Sequence, residues 1–151
     1  MQRNAHIGNL LGHEVADLQS WLDGFEPSAT GRRRRATLGH TQEYVVVKSL
    51  PLPDGYRPDE IDVLLLVDNF PSMPPIGLYA LTEGNERVVR QLRDRFNAFR
   101  NQAFHEAPPV ERYTWICYAY ADNAWRYNAS DPRRGDNLKK FLASFYAEAV
   151  L

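Results

Sequence analysis

The chain has 151 residues, 44% of them apolar and 25% charged, with a formal net charge of −1. That length suits one domain with a single core, spanning residues 1–151. The near-neutral balance excludes a general field for nucleic acid or anionic membrane, and a single cysteine, Cys117, excludes an internal disulfide or a cysteine-rich zinc site. No apolar run approaches the roughly 18 residues of a spanning helix. The first residues, "MQRNAHIGNLLGHE", contain no long apolar stretch of the signal-peptide kind, so a cytoplasmic location is expected.

In chain order, "HEVADLQSWLDGF" predicts the first helix. Val15, Leu18, Leu22 and Phe25 form one apolar stripe, and Gly24 and Pro27 end it. "GRRRRATLGH" follows, with the only charge run, Arg32 to Arg35. In an extended segment at least two of these must face solvent. They read as the charged guard of an edge strand or as a docking patch for an acidic partner. "QEYVVVKSLPLP" predicts a strand closed by Pro51 and Pro53, and "DEIDVLLLVDNF" the next. Val63 to Val67 is apolar on both faces, as expected of a central strand covered by helices. Pro71, Pro74 and Pro75 stop that strand before "IGLYAL" resumes as another.

"NERVVRQLRDRFNAFRNQAF" predicts a second helix over about 85–103, with Val88, Leu92, Phe96 and Phe99 on one face. Pro108 and Pro109 make the next segment a loop. "YTWICYAYA" reads as a lone strand-like segment, followed by a polar loop. Asp131 can cap the last helix with Pro132 at its first position, unless Gly135 delays the start to near Asp136. Leu138, Phe141, Leu142 and Phe145 form that helix's core face. Grouped antiparallel strands flanked by helices indicate the α+β class.

Cys117 reads as a small buried hydrophobe or as a nucleophile. Two stretches bear on the choice. "FPSMPP" resembles the aromatic-Pro-x-x-Pro-Pro signature after the third strand of ubiquitin-conjugating enzymes. "ICYAYADNAW" places Trp125 eight residues after Cys117, the same interval as in that family. The order of helix, meander and C-terminal helical segment is also similar. The resemblance implies a fold of the ubiquitin-conjugating type and a thioester cycle. Cys117 would take the C-terminus of a ubiquitin-like protein from an activating enzyme and pass it to an amine of a protein target. It implies no metal or organic cofactor.

The family's His-Pro-Asn triplet is not reproduced: His105 is followed by Glu106 and Ala107. Asn123 or Asn128, or a backbone N–H, would have to stabilise the oxyanion, and Asp122 would orient an incoming lysine. The long connection before Cys117, with the helix at 85–103 inserted, resembles the divergent bacterial branch of the superfamily. Members of that branch often occur in antiphage conjugation systems. Arg32, Arg33, Arg34 and Arg35 would meet the activating enzyme. Two other readings stay open. One is a catalytically silent binding module of the same fold. The other is a nucleic-acid domain using Arg32 to Arg35 with Arg87, Arg90, Arg93 and Arg95, against which stands the lack of aromatic-basic interleaving.

Overall fold

The computed structural model describes residues 5–96, 112–120 and 124–151. The elements are α1 (Ala5–Asp23), β1 (Arg35–Leu38), β2 (Tyr44–Pro51), β3 (Glu60–Leu66), β4 (Leu78–Leu81), α2 (Glu86–Phe96), β5 (Tyr113–Ile116) and α3 (Leu138–Glu148). The class is α+β, with one antiparallel five-stranded sheet in the order β1-β2-β3-β4-β5. The lone strand-like segment after α2, "YTWICYAYA", joins the sheet. Its first half is β5, which crosses past α2 and pairs with β4, Tyr79 opposite Trp115 and Leu78 opposite Ile116.

Alternation along the strands divides the sheet's side chains between two faces. Val45, Val47, Ile61, Val63, Leu65, Leu78, Ala80 and Ile116 join one core with Leu18 and Leu22 of α1, Val88 and Leu92 of α2, and Leu138, Phe141, Leu142 and Phe145 of α3. The expected apolar faces of the helices are therefore the faces that pack. The opposite face of the sheet carries Leu64, Tyr79 and Trp115, with Tyr44, Val46, Leu66, Tyr113 and Cys117 against them. This corrects the expectation of a helix-covered β3: the second cluster contains no helical residue among those described. Large aromatic side chains shield Leu64 instead, so both faces of β3 stay apolar without a second helical layer.

α1 starts eight residues earlier than expected, at Ala5 rather than His13. Leu10 and Leu11 extend its buried stripe, and the glycines at 8 and 12, which weaken a helical reading, are tolerated within it. Phe25 follows the helix and packs edge-on against Trp21 and Tyr146, at 5.0 and 5.4 Å between ring centres. α2 starts at Glu86 as expected, while the rest of the helix expected to 103, with Phe99, lies outside the described residues.

The cap of α3 is neither Asp131 nor Asp136. Asn137 holds that position in an extended conformation, and its Oδ1 accepts from Lys140 N. Asp136 is engaged elsewhere, accepting from the Tyr120 hydroxyl and the Arg126 N–H, both at 2.7 Å. Asp131 opens a turn in which its carbonyl accepts from the Arg134 N–H and its carboxylate pairs with the Arg134 guanidinium. Among the described residues, no helix is long and apolar enough to cross a membrane.

Candidate functional site

Cys117 follows directly on Ile116, the last residue of edge strand β5, and is partly buried. It belongs to the face of the sheet that carries Leu64, Tyr79 and Trp115. Strand alternation places Trp115 and Cys117 on that face, while Ile116 enters the helical core.

The proline segment runs beside this cysteine. The Trp115 indole N–H donates to the carbonyl of Ile76 at 2.8 Å. The Trp125 indole N–H donates to the carbonyl of Pro71, also at 2.8 Å. Two tryptophans that flank Cys117 in sequence thus hold the two ends of residues 71–76. Phe70 enters the core and meets Tyr127 edge-on at 4.8 Å. Gly77 closes the arrangement. Its φ is +69°, and a Cβ there would lie 2.4 Å from the Ile116 carbonyl oxygen and 2.5 Å from Trp115 Nε1. Only glycine allows the chain to pass this close to the strand that ends at the cysteine. Fixed proline φ angles lower the entropy lost in holding such a segment still. Met73 and Ile76 project from it, 49% and 53% exposed.

The remaining site residues are distributed unevenly. His105, Asp122 and Asn123 lie outside the described residues. Asn128 is a turn former: its Oδ1 accepts from Ser130 N and Asp131 N, both at 3.0 Å. Arg32, Arg33 and Arg35 are exposed. Arg34 departs from the expected solvent-facing patch. Its side chain is only 13% exposed and forms an ion pair with Glu60 at 3.1 Å. The same guanidinium donates to the carbonyls of Ser49 and Glu26. The basic patch available to a partner is therefore three arginines, with the fourth fastening the segment to the sheet.

Two acidic positions escaped sequence reasoning. Glu60 opens β3 and accepts from Ser28 Oγ, Thr30 Oγ1 and Arg34. Glu14 lies on the buried face of α1, three residues after Leu11 and four before Leu18. That spacing marks it as inward-facing, but a carboxylate on an apolar stripe is easily taken for a boundary residue. Trp115 carries no sequence signal for its indole bond to Ile76, because its partner is a backbone carbonyl 39 residues away.

The neighbouring tyrosines are structural. Tyr118 packs against Phe96, Phe141 and Phe145. Its hydroxyl bonds Ser144, and burial pushes its pKa up to about 12. Burial also raises that of Tyr120, and its bond to the Asp136 carboxylate raises it further. Neither phenol is placed to act as a base near neutral pH. Among the described residues, no three His, Cys, Asp or Glu side chains are grouped to hold a metal ion.

No family model matches the chain, and neither does any curated protein or solved structure.

Proposed function

We propose that the chain is a ubiquitin-conjugating-like enzyme whose Cys117 carries the C-terminus of a ubiquitin-like protein as a thioester. The observation that carries this reading is the partly buried cysteine at the end of β5, beside a proline segment anchored at both ends by Trp115 and Trp125. A peptide tail can reach a sulfur at the end of an edge strand, and a fixed neighbouring segment gives that tail a wall to lie against. The element order, α1 then the β1–β4 meander, then β5 and α3, supports the same fold type.

In the first step the Cys117 thiolate attacks the thioester carbonyl on the activating enzyme. A new C–S bond forms, and the activating enzyme's thiolate leaves. In the second step a target amine attacks. An amide forms, Cys117 leaves as thiolate, and the amine proton passes to a base or to solvent. The cycle requires no metal or organic cofactor. Arg32, Arg33 and Arg35 are the exposed cations that would face the activating enzyme, in a cytoplasmic, bacterial conjugation system of the antiphage type.

A second reading is a silent binding module of the same fold. It is favoured by the packing of Cys117 against the Leu64, Tyr79 and Trp115 cluster. Incubation with an activating enzyme from the same gene neighbourhood, its ubiquitin-like protein and ATP separates the two. A reductant-sensitive adduct is expected on the wild-type chain and not on Cys117→Ala. An adduct that survives the substitution would remove Cys117 as the nucleophile.

A further inference from the structure

Glu14 is only 1% exposed, yet it is an acid on an apolar helix face between Leu11 and Leu18, both fully buried. One carboxyl oxygen accepts from the N–H of Leu138, the first residue of α3, at 2.9 Å. The other is buried without a hydrogen-bond partner among the described residues. α3 has no acidic residue in its own first turn, so Glu14 reaches across from α1 to occupy the place where a helix favours negative charge.

The groups around it come from three elements. Asp17 follows one turn later on α1 and faces Arg133 at 3.9 Å. The loop before α3 brings in Tyr127, whose hydroxyl is also buried without a partner among the described residues. α3 contributes the Leu138 N–H. Burial drives the Glu14 carboxyl up from 4.5 to about 7; the Leu138 bond offsets part of this, and the Asp17 charge adds to it.

We propose that Glu14 is a proton-operated latch between α1 and the amino terminus of α3, closed when its carboxyl is neutral and loosened when it ionises. The Leu138 bond favours the ionised carboxyl and does not depend on the proton, but only the neutral form leaves no buried charge. An ionised one places charge on a buried oxygen that has no hydrogen-bond partner among the described residues. Tyr127 feels the charges of Glu14 and Asp17, and its ring rests on Phe70, next to Pro71. The Glu14 site therefore borders the loop that follows Trp125. The latch does not depend on whether Cys117 carries an acyl group.

The sign follows from linkage. The folded chain holds the Glu14 proton more tightly than the unfolded chain. The stabilisation is complete below about 4.5 and is lost as pH rises through about 7. Glu14→Gln keeps the shape and the carbonyl for Leu138 but cannot ionise. In denaturant unfolding of the full chain, the wild-type folding constant should fall relative to Glu14→Gln by up to about two orders of magnitude between pH 4.5 and 8. A ratio that stays flat over that range would overturn the latch. Should Glu14→Gln not fold, carbon NMR of the wild-type Glu14 carboxyl decides: a midpoint near 7 supports the proposal, and one near 4.5 ends it.

Discussion

Glu60 and Glu14 are both buried acids, at 7% and 1% exposure, and they respond to burial in opposite directions. Burial alone would raise Glu60. Bonds from Thr30, Ser28 and Arg34, with the Arg34 charge, outweigh it and hold the carboxyl below its ordinary value. Glu14 receives one backbone N–H and, among the described residues, no cation, and its carboxyl rises. Donors and depth act together: Glu60 has more donors on its oxygens and is also the less deeply buried of the two. Glu60 binds the arginine-bearing segment to the sheet, where Arg34 also reaches the Ser49 carbonyl beside the irregular register of β2. The Glu14 site is the softer of the two, because one of its oxygens depends on a proton rather than a partner.

The largest expected effect tests the Glu60 half of this contrast. Glu60→Ala leaves the Arg34 guanidinium buried without its carboxylate, and breaking such a pair costs about 3–5 kcal/mol. Denaturant unfolding measures it, and a loss below about 1 kcal/mol would show that Arg34 finds solvent and that the pair is not the fastener described. A smaller effect lies in the pH profile. Glu60 has a lowered pKa, so its contribution is present above about 4.5 and is lost as pH falls through its folded value. Glu14 acts in the opposite direction as pH rises. Wild-type stability should therefore decline on both sides of a maximum near pH 5, and Glu60→Gln should lose acid dependence while keeping the decline above it. An acid limb unchanged in Glu60→Gln would assign it to other carboxylates.

Much of the fold was legible because it rests on periodic apolar residues. Leu138, Phe141, Leu142 and Phe145 are spaced for one helical face, and all four are buried. The run through β3 reads as central because it is apolar on both faces, as it is in the structure. The partner of β5 was not legible. Its pairing with β4 spans the whole of α2, and no local pattern encodes a contact over that separation. The α3 cap was misread for a related reason. Asp131 and Asp136 have the right chemistry for a cap, but tertiary partners, Tyr120 and the Arg126 N–H, claim Asp136 and leave Asn137 to cap the helix. Arg34 looked like its three neighbours because one charge run hides which member turns inward. Its fate was set by Glu60, 26 residues later.

At the candidate site, it was the resemblance, not the spacing of the prolines, that linked their segment to Cys117. The means of holding it, two indole N–H groups on backbone carbonyls and a glycine against the Ile116 carbonyl, required coordinates. Trp125 was singled out by its interval from Cys117, whereas Trp115, two residues before the cysteine, was not.

The proposal stands on the Cys117 sulfur being reachable in the folded chain while its surroundings stay fixed. Labelling of the native protein with a small thiol reagent tests this directly, followed by intact mass across sub-denaturing concentrations of urea. The expected result is a single adduct on Cys117 that forms far faster than global unfolding, at a rate unaffected by mild denaturant. Labelling that proceeds only as fast as the chain unfolds, and accelerates in step with it, would contradict the account.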